Sequence, residues 1–185
     1  PSDITVKFSG QAEEQQTSFR IIAYLFILSL ILVYMVMASQ FESFLDPFII
    51  MFSVPFAFVG VVVFFFLTKT TLSLISFVGS IMLVGIVVKN AIVMIDYTNI
   101  LRARGMKLFD AVTTAGAHRL RPVLMTALTT IFAMVPMALR TGEGSQIWKP
   151  IGITVIGGLL SSTVITLLII PTIYSIFKSR IKPVK

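Results

Sequence analysis

Five stretches of this sequence are apolar for long enough to cross a lipid bilayer, and no other feature limits the possible architecture so strongly. They cover residues 21–38, 48–67, 72–97, 123–139 and 151–177. A helix rises about 1.5 Å per residue and the hydrocarbon core is about 30 Å thick, so roughly twenty apolar residues make a span, with tilt absorbing differences in length. Backbone N–H and C=O groups find no water in lipid, so each stretch must bond internally as a helix. The expected fold is therefore all-α, a polytopic membrane bundle of about five transmembrane helices. Composition agrees: 56% of the residues are hydrophobic and 12% charged, far from a soluble domain.

The connectors are short and polar. Asp46 and Pro47 read as a turn into the second span, and Thr68–Lys69–Thr70 as a tight hairpin between the second and third. In the longer third connector Leu108, Val112 and Ala115 recur at helical spacing, which predicts a short amphipathic helix over 105–118, lying on the membrane surface. Glycines and Ser145 mark a loop before the fifth span. Pro55 and Pro136 fall inside spans and predict kinks. Gly157 with Ser161 and Gly158 with Ser162 give the fifth span a small-residue face suited to close helix packing.

The net charge of +7 could suit a nucleic-acid binder, but its placement argues for topology instead. An odd number of spans puts the termini on opposite sides. One side carries nine basic residues (Arg102, Arg104, Lys107, Arg119, Arg121, Lys178, Arg180, Lys182, Lys185), and the other carries five (Lys7, Arg20, Lys69, Arg140, Lys149). The basic excess marks the cytoplasmic side, so the C-terminus is expected inside and the N-terminus outside, with residues 178–185 as a basic cytoplasmic tail. Contact with anionic lipid, not nucleic acid, accounts for the basic loop. With no cysteine and one histidine, disulfide frameworks and thiolate or imidazole metal sites are excluded. No HExxH or GxSxG motif supports an intramembrane enzyme.

Lys89 is the exception to this sorting. It lies about 24 Å along the third span from Ser73 and about 20 Å from Arg102, close to mid-membrane. A lysine there costs roughly 2.5–3.5 kcal/mol on insertion scales, and it is too far from either helix end to snorkel, so it marks a functional path. A buried ammonium needs a counter-charge. Of the eight acids, only Asp96 falls within a span, seven residues and about 10.5 Å from Lys89, too far for a direct pair. The neutralising acid is expected from a segment outside these 185 residues. A second polar line, Arg119, Thr126 and Thr130, shares one face if the fourth helix runs unbroken through Pro122. If the helix starts at that proline, Arg119 belongs to the loop.

The blocks MASQFESFLDPFIIMFSVPFAFVG, GIVVKNAIVMIDYTN, RLRPVLMTALTT, MVPMAL and GEGSQIWKPIGITVIGGLLSST resemble the last five spans of the resistance, nodulation and division superfamily, in its hydrophobe/amphiphile multidrug-efflux branch. The resemblance covers nearly the whole chain. It implies half of a twelve-span, two-repeat transporter, with this chain as spans eight to twelve and residues 1–20 as the end of a periplasmic domain. It implies a multi-pass protein of the bacterial inner membrane, a homotrimer that works with a periplasmic adaptor and an outer-membrane channel. No cofactor is implied beyond the proton gradient as energy source. A lysine of the KN motif in that family pairs with two aspartates from the N-terminal half, and an arginine and a threonine complete a proton relay. Those roles fall on Lys89, Arg119 and Thr126, with Asn90, Asp96 and Thr130 as possible supporting residues. A heavy-metal exporter segment and a structural or assembly subunit without transport activity are the competing expectations.

Overall fold

The computed structural model describes residues 11–180. Six helices follow in order: α1 (Gln11–Phe41), α2 (Leu45–Met51), α3 (Ser53–Thr68), α4 (Leu74–Ala103), α5 (Leu108–Ala138) and α6 (Ser145–Arg180). Helices α2 and α3 form one span, so five helical bodies are long and apolar enough to cross a membrane. The all-α polytopic bundle is thus the observed fold. Residues 1–10 of the expected outer segment, and Lys182 and Lys185 of the expected tail, lie outside the described residues.

Helix boundaries differ from the sequence reading where lipid hydropathy stops being the deciding force. Helix α1 begins at Gln11, so residues 11–20 continue the first span as helix. The predicted kink at Pro55 is a break at Phe52. Proline has no N–H to bond the carbonyl four residues back, that of Met51, and the chain tightens there through a bond from the Phe52 N–H to the Ile49 carbonyl at 3.2 Å. By contrast, α5 is one continuous helix through Pro122 and Pro136. Residues 108–118 are therefore the first three turns of α5, continuous with the fourth span and not a separate helix, and Arg119 is helical. Likewise α6 runs through Lys178, which stands on a helix and not in a tail.

The turns are chemically specified. Lys69 takes a left-handed conformation at the end of α3, and the N–H groups of Lys69 and Thr70 bond back to Phe66 and Phe65, closing the helix in a Schellman arrangement. Ser73 and Ser76 then form a reciprocal capping box at the start of α4.

Helix α6 is the hub, packed against α3, α4 and α5, while α1 leans on α2 and α4 at one edge. Glycine permits the α3–α6 crossing. A Cβ on Gly60 would land inside van der Waals contact of the Gly157 carbonyl oxygen and the Ser161 Cβ, and one on Gly157 would meet Phe64 Cβ at 2.6 Å. Ser161 Oγ also donates across this crossing to the Phe56 carbonyl at 3.0 Å. The small-residue face read from the sequence is thus a packing surface. Three apolar clusters complete the interior, one around Ile49, Val88, Ile95 and Tyr174, a second around Ala57, Leu83, Val87 and Leu159, and a small third of Leu101, Ala111 and Ala115 with Tyr97 packed against it.

Candidate functional site

Helix α4 shows the bundle two faces. Val84, Val87, Val88, Ala91 and Ile95 are buried, whereas Val78, Met82, Gly85, Lys89 and Asp96 are exposed. Steps of four, three, four and seven keep the exposed set on one stripe of the helix. Lys89 is fifteen residues from the first residue of α4 and fourteen from the last, about 22 Å and 21 Å by helical rise, so its mid-helix position holds.

Beside Lys89, an open groove of about 410 Å³ runs between α4 and α5, lined by Met82, Gly85, Ile86, Lys89, Asn90, Thr126, Ala127 and Thr130. Four of the six residues expected to form the site therefore converge: Lys89, Asn90, Thr126 and Thr130. Their hydroxyls are partly committed. Thr126 Oγ1 donates to the Pro122 and Val123 carbonyls at 3.1 and 3.0 Å, and Thr130 Oγ1 to the Thr126 carbonyl at 2.8 Å. Back-bonding of this kind leaves each oxygen free only as an acceptor. Among the described residues Lys89 has no ion-pair or hydrogen-bond partner, and a Cβ on Gly85 would meet nothing within 4 Å. The groove is a cationic slot open on one side.

The other two expected residues lie apart from it. Arg119 is on the Thr126 face of α5, seven residues toward the other end, about 10.5 Å away. Its guanidinium sits 4.6 Å from the centre of the Tyr97 ring. Asp96 is exposed beyond the groove lining.

The sequence reading missed a buried ionic cluster. Asp46, taken for a turn residue, opens α2 and is 2% exposed. Lys178 Nζ lies 2.9 Å from its Oδ1, and Asn99 Nδ2 donates to its Oδ2 at 2.9 Å. The Tyr174 hydroxyl donates in turn to Asn99 Oδ1, and the Lys178 ammonium lies 5.6 Å from the Tyr174 ring centre. Three elements are tied together at the end of the bundle that carries Arg102 and Arg104. The available signal was weak: Tyr174 and Lys178 are one turn apart on α6, but nothing in their spacing points to Asp46.

Residues 1–178 match the family described as AcrB/AcrD/AcrF. The chain belongs to the AcrB/AcrD/AcrF family. This family sits within the resistance, nodulation and division superfamily of transporters, whose last five membrane spans the sequence blocks resembled. A similar family relative is the swarming motility protein SwrC of Bacillus subtilis (strain 168), 42% identical over 177 residues, covering 95% of this chain and 17% of SwrC. Two crystal forms of a heavy metal efflux pump superpose with TM-scores of 0.84 and 0.83 at 33% and 35% identity, over 97% of this chain and 18% of the pump. The chain thus spans less than a fifth of the length of these relatives.

Proposed function

We propose that this chain is the C-terminal membrane segment of a proton-driven exporter of hydrophobic or amphiphilic compounds, and that Lys89 is the cation of its proton relay. The observation that supports the reading is the open groove: a mid-span ammonium without an ion-pair partner among the described residues, lining the groove with Thr126 and Thr130, on an exposed stripe of α4. Desolvated carboxylates delivered by the N-terminal half would lower the cost of that charge, and their protonation would release it. Two arrangements of α4 then follow from two protonation states, which is the requirement for coupling a proton to a conformational cycle. In this reading the complete protein is a trimer in the inner membrane, with the N-terminus outside and the C-terminus inside. In cells with two membranes it is joined to a periplasmic adaptor and an outer-membrane channel. The chain acts in transport, not as an enzyme.

A second reading, export of metal ions, is favoured by the likeness to a heavy metal efflux pump. The two separate in cells expressing the complete transporter. Efflux of ethidium that is lost in Lys89→Ala, with metal tolerance unchanged by expression, supports the first. Metal tolerance conferred by expression and lost in Lys89→Ala, without ethidium efflux, supports the second. A Lys89→Ala transporter with normal efflux of both contradicts the relay.

A further inference from the structure

Arg119 is held in an unusual way for a cation inside a helix bundle. Its Nε is buried without a hydrogen-bond partner, and it forms no ion pair among the described residues. What faces the guanidinium is the Tyr97 ring, 4.6 Å from its carbon to the ring centre. His118, the residue before Arg119 on α5, lies 6.0 Å from the same ring with its plane tilted by 28°. Tyr97 is eight residues from Lys89 on α4, and Arg119 seven from Thr126 on the antiparallel α5, about 12 and 10.5 Å respectively. The two helices therefore present two stacked layers: Lys89 with Thr126 in the groove, and Tyr97 with Arg119 below it.

We propose that Tyr97 is a positioning residue for proton translocation, its ring holding the Arg119 guanidinium in register beneath the Lys89 groove. The inference rests on the relay reading above. An aromatic face attracts a guanidinium without neutralising it, and it offers no proton acceptor. It can hold Arg119 at a fixed depth while leaving its full charge and its N–H donors for a carboxylate delivered by a partner helix. A carboxylate in place of the ring would fix the arginine equally well but would quench that charge. The phenol hydroxyl plays no part in this argument, so phenylalanine should serve as well as tyrosine. Leucine, or methionine if leucine impairs folding, should not.

The test is a double-variant cycle in the complete transporter, reconstituted in liposomes with an entrapped pH dye and ethidium as the transported probe. Tyr97→Leu is expected to lower the proton-coupled rate roughly tenfold and Tyr97→Phe to stay within about twofold, with Tyr97→Leu/Arg119→Ala no slower than Arg119→Ala alone. A tenfold loss corresponds to about 1.4 kcal/mol, within the range of a desolvated cation–π contact. Normal coupling in Tyr97→Leu beside a slowed Arg119→Ala overturns the positioning role alone, as do equal losses in the Leu and Phe variants or additive losses in the cycle. Normal coupling in Arg119→Ala overturns the relay reading itself. A readout independent of transport is the ring-current shift of the Arg119 Nε–H resonance in detergent. It should vanish in Tyr97→Leu and persist in Tyr97→Phe, and a resonance unmoved by Tyr97→Leu overturns the contact.

Discussion

Asp46 is the one buried carboxylate among the described residues, and its partners decide what its removal costs. Taking away one member of a buried pair leaves the other charge uncompensated, typically at about 3–5 kcal/mol, whereas replacing both with apolar groups is often near neutral. The Lys178 side chain keeps 19% of its exposure, which places this pair toward the low end. Asp46→Ala should therefore lower the thermal midpoint of the detergent-solubilised protein clearly, and Asp46→Leu/Lys178→Met should recover most of the loss. Equal losses in the single and double variants would show that the pair contributes nothing beyond packing. At Thr126 the hydroxyl closes onto its own helix, so its acceptor lone pairs are what remain for the groove. Thr126→Ser should keep transport, and Thr126→Val should lower it with little change in stability, as read from efflux and melting on the same preparation.

At the scale of helices, glycine positions separate what holds the bundle together from what the bundle offers a partner. Gly60 and Gly157 meet at the α3–α6 crossing, where an added methyl strikes backbone and Cβ atoms that cannot move independently. Gly60→Ala should destabilise by about 1–3 kcal/mol, the usual cost of overpacking. Gly85 lies in the open groove with nothing near it. Gly85→Ala should leave the melting of this chain unchanged or slightly raised, since alanine is the better helix former by about 1 kcal/mol. If the N-terminal half seats against this stripe, the same substitution should impair export. A loss of stability in Gly85→Ala would mean that the groove closes in this chain alone. The existence of all five spans was legible in the sequence because lipid permits no other backbone arrangement. Their ends were not, because near the interface helix hydrogen bonding outruns apolarity: α5 passes Pro122 and takes in the segment read as a surface helix. The Asp46 cluster was illegible for a related reason. It joins residues 53 and 75 positions apart, and only packing brings them together.

On the scale of the whole molecule, the described bundle is well packed around α6 and unfinished along one face of α4. Of the groove residues, Lys89, Thr126 and Thr130 were legible because a mid-span charge is costly enough to require an explanation and a seven-and-four spacing can be counted, whereas Asn90 was reached only through the family resemblance. That Arg119 rests on Tyr97 in a layer of its own could not be counted, since it depends on the depth at which α4 and α5 pack. An ammonium that shares a groove with two threonines, exposed and without a counter-charge among the described residues, is half of an interaction. The relatives are more than five times longer than this chain, which leaves ample sequence for the other half. The most direct measurement is proton uptake by the complete transporter in liposomes under a substrate load, comparing wild type with Lys89→Ala at matched protein amount and fold. The account expects uptake to fall to the level of protein-free liposomes in the variant, and uptake at the wild-type rate would contradict it.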